Sequence, residues 1–120
     1  MRADIPADTR ILPPAAFRNC RTLTEAVLPE GIERLPKECF SGCTELRKAV
    51  LPASLKTIGE WAFRNCVNLH EICIPAGVED ICAESFLGCS IVIHTEEGTF
   101  AEDYARKRGI PVITRKNQED

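Results

Sequence analysis

The residues of this chain best suited to chemistry are seven cysteines and two histidines. Thiolates and imidazoles ligate zinc, and either group can act as a nucleophile or a base. The nearest cysteine pair, Cys39 and Cys43, has a C-x3-C spacing. Tetrahedral zinc takes four converging ligands, usually from two such pairs, and the sequence holds no second pair. A redox dithiol would show C-x-x-C, which is also missing. His70 and His94 stand 24 residues apart, and there is no G-x-S-x-G, H-E-x-x-H or glycine-rich phosphate loop. The expectation is a chain with no catalytic residues, no cofactor and no metal.

What the cysteines do show is order. Cys20, Cys43, Cys66 and Cys89 recur every 23 residues, each three behind Phe17, Phe40, Phe63 and Phe86. Pro6, Pro29, Pro52 and Pro75 form a third column, each preceded by Ile or Leu. Repetition at a period of roughly 20 to 50 residues is the mark of a solenoid. A column of free thiols in such an array is explained by packing, because cysteine behaves as a small buried hydrophobe. Seven thiols without a disulfide framework fit a reducing, cytoplasm-like compartment.

Each unit assigns a role to its positions. Ala26-Val27-Leu28, Ala49-Val50-Leu51 and Ile72-Cys73-Ile74 alternate with period two, so they read as short strands with the outer pair facing the core. The following proline cannot donate to a ladder and ends the strand. Asp8, Gly31, Ser54 and Gly77 then hold a turn position. Ile32 and Leu35, Leu55 and Ile58, and Val78 and Ile81 make a second apolar segment on the other side of the coil. The phenylalanine closes the unit in a tight turn. Asn19, Gly42, Asn65 and Gly88 follow it, the residue types that best accept positive φ, so a left-handed residue is expected there in each repeat.

These columns resemble the leucine-rich repeats of the BspA-like family, a bacterial class with a 23-residue unit. One copy shows Leu69, Ile72, Ile74-Pro75, Val78, Ile81, Phe86 and Cys89; another shows Leu46, Leu51-Pro52, Leu55, Ile58, Ala62-Phe63 and Cys66. The resemblance implies a strand-dominated α/β fold: a right-handed solenoid with a parallel β-ladder on its concave face. It also implies a short C-terminal capping helix and a non-enzymatic role in adhesion or host-protein binding at the cell surface.

After Cys89 the register changes. Ile91-Val92-Ile93 reads as the next strand, arriving about four residues early. Thr99 and Glu102 have the spacing of a capping box, Phe100, Ala101, Tyr104 and Ala105 form one apolar stripe, and Gly109 and Pro111 end the helix. The basic group from Arg106 to Arg108 suits the end of that helix. The organisation is one domain: about four repeats over 1–93, a cap over 94–113 with a helix over 99–108 and a short strand, and a polar tail over 114–120. Ala3-Asp4-Ile5 falls in phase with the strands, leaving an uncapped N-terminal edge through which two copies could pair as a homodimer.

Surface positions follow from the same phasing. Val27, Val50 and Cys73, with Asp4 and Val92, should face out from the ladder, flanked by a row of Glu25, Lys48 and Glu71. Charges of alternating sign on adjacent strands, as also in Glu33, Lys56 and Glu79, read as surface ladders and not acid–base pairs. Trp61 shares its phase with Ala15, Glu38 and Glu84, which points to a solvent-facing position, and the simpler expectation is that it lies over neighbouring repeats. Val27, Val50, Cys73, Glu25, Lys48, Glu71 and Trp61 are the candidate protein-contact surface. A net charge of −3 disfavours nucleic acid, and no apolar run is long enough for membrane insertion. An unidentified protein partner is therefore expected. Met1 as the native start would imply the cytoplasm, and a fragment of an exported protein the cell surface or outside. The other readings are a structural, capped end of a larger array, or a thiol-based sensor using Cys73.

Overall fold

A computed structural model describes residues 1–116. Nine short strands and one helix make up its regular structure. They are β1 (Arg2–Ala3), β2 (Glu25–Val27), β3 (Arg34–Leu35), β4 (Lys48–Val50), β5 (Thr57–Ile58), β6 (Glu71–Cys73), β7 (Asp80–Ile81), β8 (Val92–Glu96), α1 (Phe100–Arg108) and β9 (Val112–Arg115). Every strand pairing is parallel, and in the repeats the register advances by one unit, with Ala3 opposite Ala26 and Ala26 opposite Ala49. A chain that returns to the same phase after one coil can pair only in parallel, and the strand-dominated solenoid follows directly.

The core is the inward half of each alternation. Leu23, Ala26, Ile32, Leu35, Phe40 and Cys43 are fully buried, and their phase-mates in the next repeat are buried with them. Phe17, Phe40, Phe63 and Phe86 stack face to face at 5.2, 5.4 and 5.4 Å, with planes within 10°. The thiols lie beside this column and donate to it: Cys43, Cys66 and Cys89 Sγ reach the carbonyls of Phe17, Phe40 and Phe63 at 3.0, 3.1 and 2.9 Å. Burial pushes Cys39 up to about 12 and Cys43 up to about 11, so both remain protonated thiols at neutral pH.

The left-handed column holds as expected at Asn19, Gly42, Asn65 and Gly88. A second left-handed column was not anticipated. Ala15, Glu38 and Trp61 have φ of 58, 58 and 59°, and no residue type there signals it.

The C-terminal end is closed by α1. Thr99 caps it by accepting from Glu102 N, and Gly109 ends it at φ 70°. The Glu102 carboxylate reaches back to Gly98 N at 2.7 Å, one residue before the cap position. Tyr104 lies tilted on Phe86 at 6.5 Å and donates its hydroxyl to the carbonyls of Cys82 and Ala83. The ring column therefore ends on a tyrosine whose polar end closes the turn beneath it. Strand β9 extends to Arg115, so Thr114 and Arg115 belong to the sheet and not to a tail. The rest of the expected tail, from residue 117 on, lies outside the described residues.

One departure from the expected fold matters for function. The ladder is not continuous: β1-β2-β4 form one sheet and β6-β8-β9 another, while β3-β5-β7 run unbroken on the other side. Among the described residues no backbone hydrogen bond joins β4 to β6, although Leu28 N bonds Val50 O before this seam and Ile74 N bonds His94 O after it. The seam coincides with a change of size in the inward column, which reads Ala3, Ala26, Ala49 and then Ile72, Ile93. A larger inward side chain holds its strand further from the shared core, which is the physical reason we assign to the break.

Candidate functional site

The seam opens into a groove of about 720 Å³ on the ladder face. Its walls are Arg47 to Leu51 on one side and Glu71 to Pro75 on the other, with His94 and Ile113 to Arg115 completing it. Val50 is 39% exposed and Ile113 56%, two apolar side chains in the open. Cys73 is exposed between them. Solvent also reaches inward here, since Ala49 and Leu51 keep 9% and 8% exposure where Ala26 has none.

The structure brings together some of the sequence-derived candidates and separates others. Val50, Cys73, Lys48 and Glu71 line the groove. Val27 and Glu25 lie on β2, half-buried and outside it. The expected row of Glu25, Lys48 and Glu71 is divided by the seam. Lys48 Nζ stays 3.8 Å from Glu25, whereas Glu71 turns to His94 Nε2 at 3.2 Å. Trp61 is elsewhere, and it does not face solvent freely. It is half-buried between Lys37 Nζ at 5.3 Å and Arg64 Cζ at 4.7 Å, a pair of cation–π contacts.

His94 is the residue that sequence reasoning missed. Ile93, not Ile91, pairs with Ile72, so the register shortens by two residues and not four. The outward neighbour of Cys73 is therefore His94, and Val92 faces Glu71 instead. On β9 the same row continues to Ile113. The ladder face thus carries Val50, Cys73, His94 and Ile113 across the seam, with Arg47, Lys48 and Arg115 as cations and Glu71 as the one carboxylate in the lining. Such a surface can hold an apolar segment by burial and orient it by charge. Among the described residues no cluster of three or more His, Cys, Asp or Glu is placed to hold a metal ion.

Comparison with known proteins follows the geometry. A family model for the BspA type leucine rich repeat region matches residues 2–102 in six copies. No curated protein matches the chain. Among solved structures, a leucine rich cell surface protein from Faecalibacterium prausnitzii is 34% identical, with a TM-score of 0.63 over 67% of this chain and 21% of that one. A leucine-rich repeat protein from Bacteroides ovatus is 29% identical, with a TM-score of 0.68 over 78% of this chain and 30% of that one. The pneumococcal vaccine antigen PcpA shares the fold at 16% identity, with a TM-score of 0.67 over 97% of this chain and 42% of that one. The chain spans less than half the length of each of these proteins. Repeat pattern, fold and family match agree, and the chain belongs to the BspA-type leucine-rich repeat family.

Proposed function

We propose that this chain is a non-enzymatic protein-binding scaffold whose contact surface is the groove at the β4/β6 seam. The observation that carries the reading is the exposed apolar pair Val50 and Ile113, set in one groove among cations. Apolar floors rimmed by charge are what partner proteins bury. Exposure at the cell surface is part of the proposal and rests on the similarity to the Faecalibacterium cell surface protein. An adhesive role, and a partner on a host cell, belong to the same reading.

The test is a crosslinking capture on intact cells of the source organism and its neighbours. The double variant Val50→Asp and Ile113→Asp is compared with Lys56→Glu, which lies away from the groove. Both sites are exposed, so folding should be unaffected. Loss of a captured protein in the first variant alone supports the groove. Equal capture by both variants removes it. A second reading, a structural end segment of a longer repeat array, is favoured by the small share of each neighbouring structure that the chain covers. It expects no groove-dependent partner at all.

A further inference from the structure

We propose that Cys73 is a reactive thiol that captures low-molecular-weight disulfides in the groove, with His94 as its proton acceptor and Glu71 as the residue that positions His94. This does not depend on a protein partner occupying the groove. Three observations carry it. Cys73 is the exposed cysteine, while Cys39, Cys43 and Cys66 are buried and Cys20, Cys82 and Cys89 are half-buried. Cys73 and His94 are direct partners in the β6–β8 register, so their side chains leave the same face from strands about 5 Å apart. Glu71 Oε1 holds His94 Nε2 at 3.2 Å, which leaves Nδ1 as the ring nitrogen free to take a proton. A nucleophile, a base and a group that orients the base therefore share one side of one groove.

The reaction balances without an added oxidant. The Cys73 thiol gives its proton to His94, and the thiolate attacks one sulfur of a disulfide RS–SR. A new Cys73 S–S bond forms as the RS–SR bond breaks, and the leaving RS⁻ takes the proton back from His94 as RSH. Cys73 is oxidised to a mixed disulfide and one half of the incoming disulfide is reduced to a thiol. The lining sets no preference by charge, because Arg47, Lys48 and Arg115 each already stand within 4.0 Å of a carboxylate, on Glu45, Glu25 and Glu96. The thiols beside the phenylalanine column cannot compete, because they are packed away and their protons are held by carbonyls.

The experiment uses the full 120-residue chain with glutathione disulfide as the probe. Adduct formation is followed by intact mass and located by peptide mapping between pH 5.5 and 9. The groups facing His94 are Glu71 and Cys73 from β6, Glu96 on its own strand and Ile113 and Arg115 from β9. The expected result is adduct at Cys73 first. His94→Gln should slow it at pH 7, because the thiol then has no base beside it to take its proton. Glu71→Gln should give a smaller loss, and Glu71→Asp should recover part of it, because a carboxylate again orients the imidazole. Cys73→Ser removes the fast adduct and leaves the rest. Equal rates in wild type and His94→Gln across the pH range overturn the proposal, as does first modification at Cys82 or Cys89.

Discussion

Cys39 and Tyr104 show how a repeat fold constrains single side chains. Both are buried and neutral, Tyr104 held up to about 12 by burial against the opposing pull of Arg108. A group whose folded pKa lies above its unfolded value contributes full stability below the unfolded pKa. That contribution is lost as pH rises through the folded value. For Cys39, Cys43 and Tyr104 the window opens near 9 to 10 and closes near 11 to 12. Each group then removes about 1.4 kcal/mol per pH unit while its two forms diverge. Melting temperature should fall steadily between pH 9 and 12, and less steeply in Cys39→Ala; an unchanged slope in that variant would show that the thiol plays no part. At this scale residue type was a good guide where the type is special. Asn and Gly announced one left-handed column, whereas Ala15, Glu38 and Trp61 adopt the same conformation with no such signal. Their backbone follows the coil and not the side chain.

Within one element, the approach of neighbouring coils sets what is tolerated. A Cβ added at Gly59 would meet Lys37 N at 2.7 Å and Leu35 O at 2.8 Å, both backbone atoms of the preceding repeat. Neither can move without separating the coils. Gly59→Ala should therefore destabilise by about 1–3 kcal/mol, as overpacking does. Gly77→Ala is the control: its nearest neighbour is Ala53 O at 3.6 Å, so thermal unfolding should be nearly unchanged. If both variants melt together, close packing at Gly59 is not limiting. The strand after Cys89 shows why sequence placed the elements but not every neighbour. Shortening the register by two residues or by four leaves the same side chains facing inward, because strand alternation has a period of two. Burial could not distinguish the choices, and His94 was hidden in the difference.

Across the whole molecule, the seam is the feature that a repeat pattern conceals. The letters that mark it, Ala26 and Ala49 followed by Ile72, were in plain view, yet each is a good inward residue taken alone. Only their stacking order exposes the step. Hydrogen exchange should report it: amides of Leu51 and His70 exchange faster than those of Leu28 and Arg47, which are bonded to Val50 O and Thr24 O. Equal protection at the four positions would mean that the ladder is closed in solution. The ring column adds a geometric consequence. Because the phenylalanines are in phase, their 5.2–5.4 Å separations are the advance per coil at that radius. Strands in a ladder advance by about 4.8 Å. The difference, about half an ångström per coil, bends the stack into an arc with the ladder on the inside. An open seam lengthens that inner edge, so the arc is flattest where the groove lies. Curvature and side-chain size thus meet at one coil, and the step from alanine to isoleucine gives the arc its straightest segment.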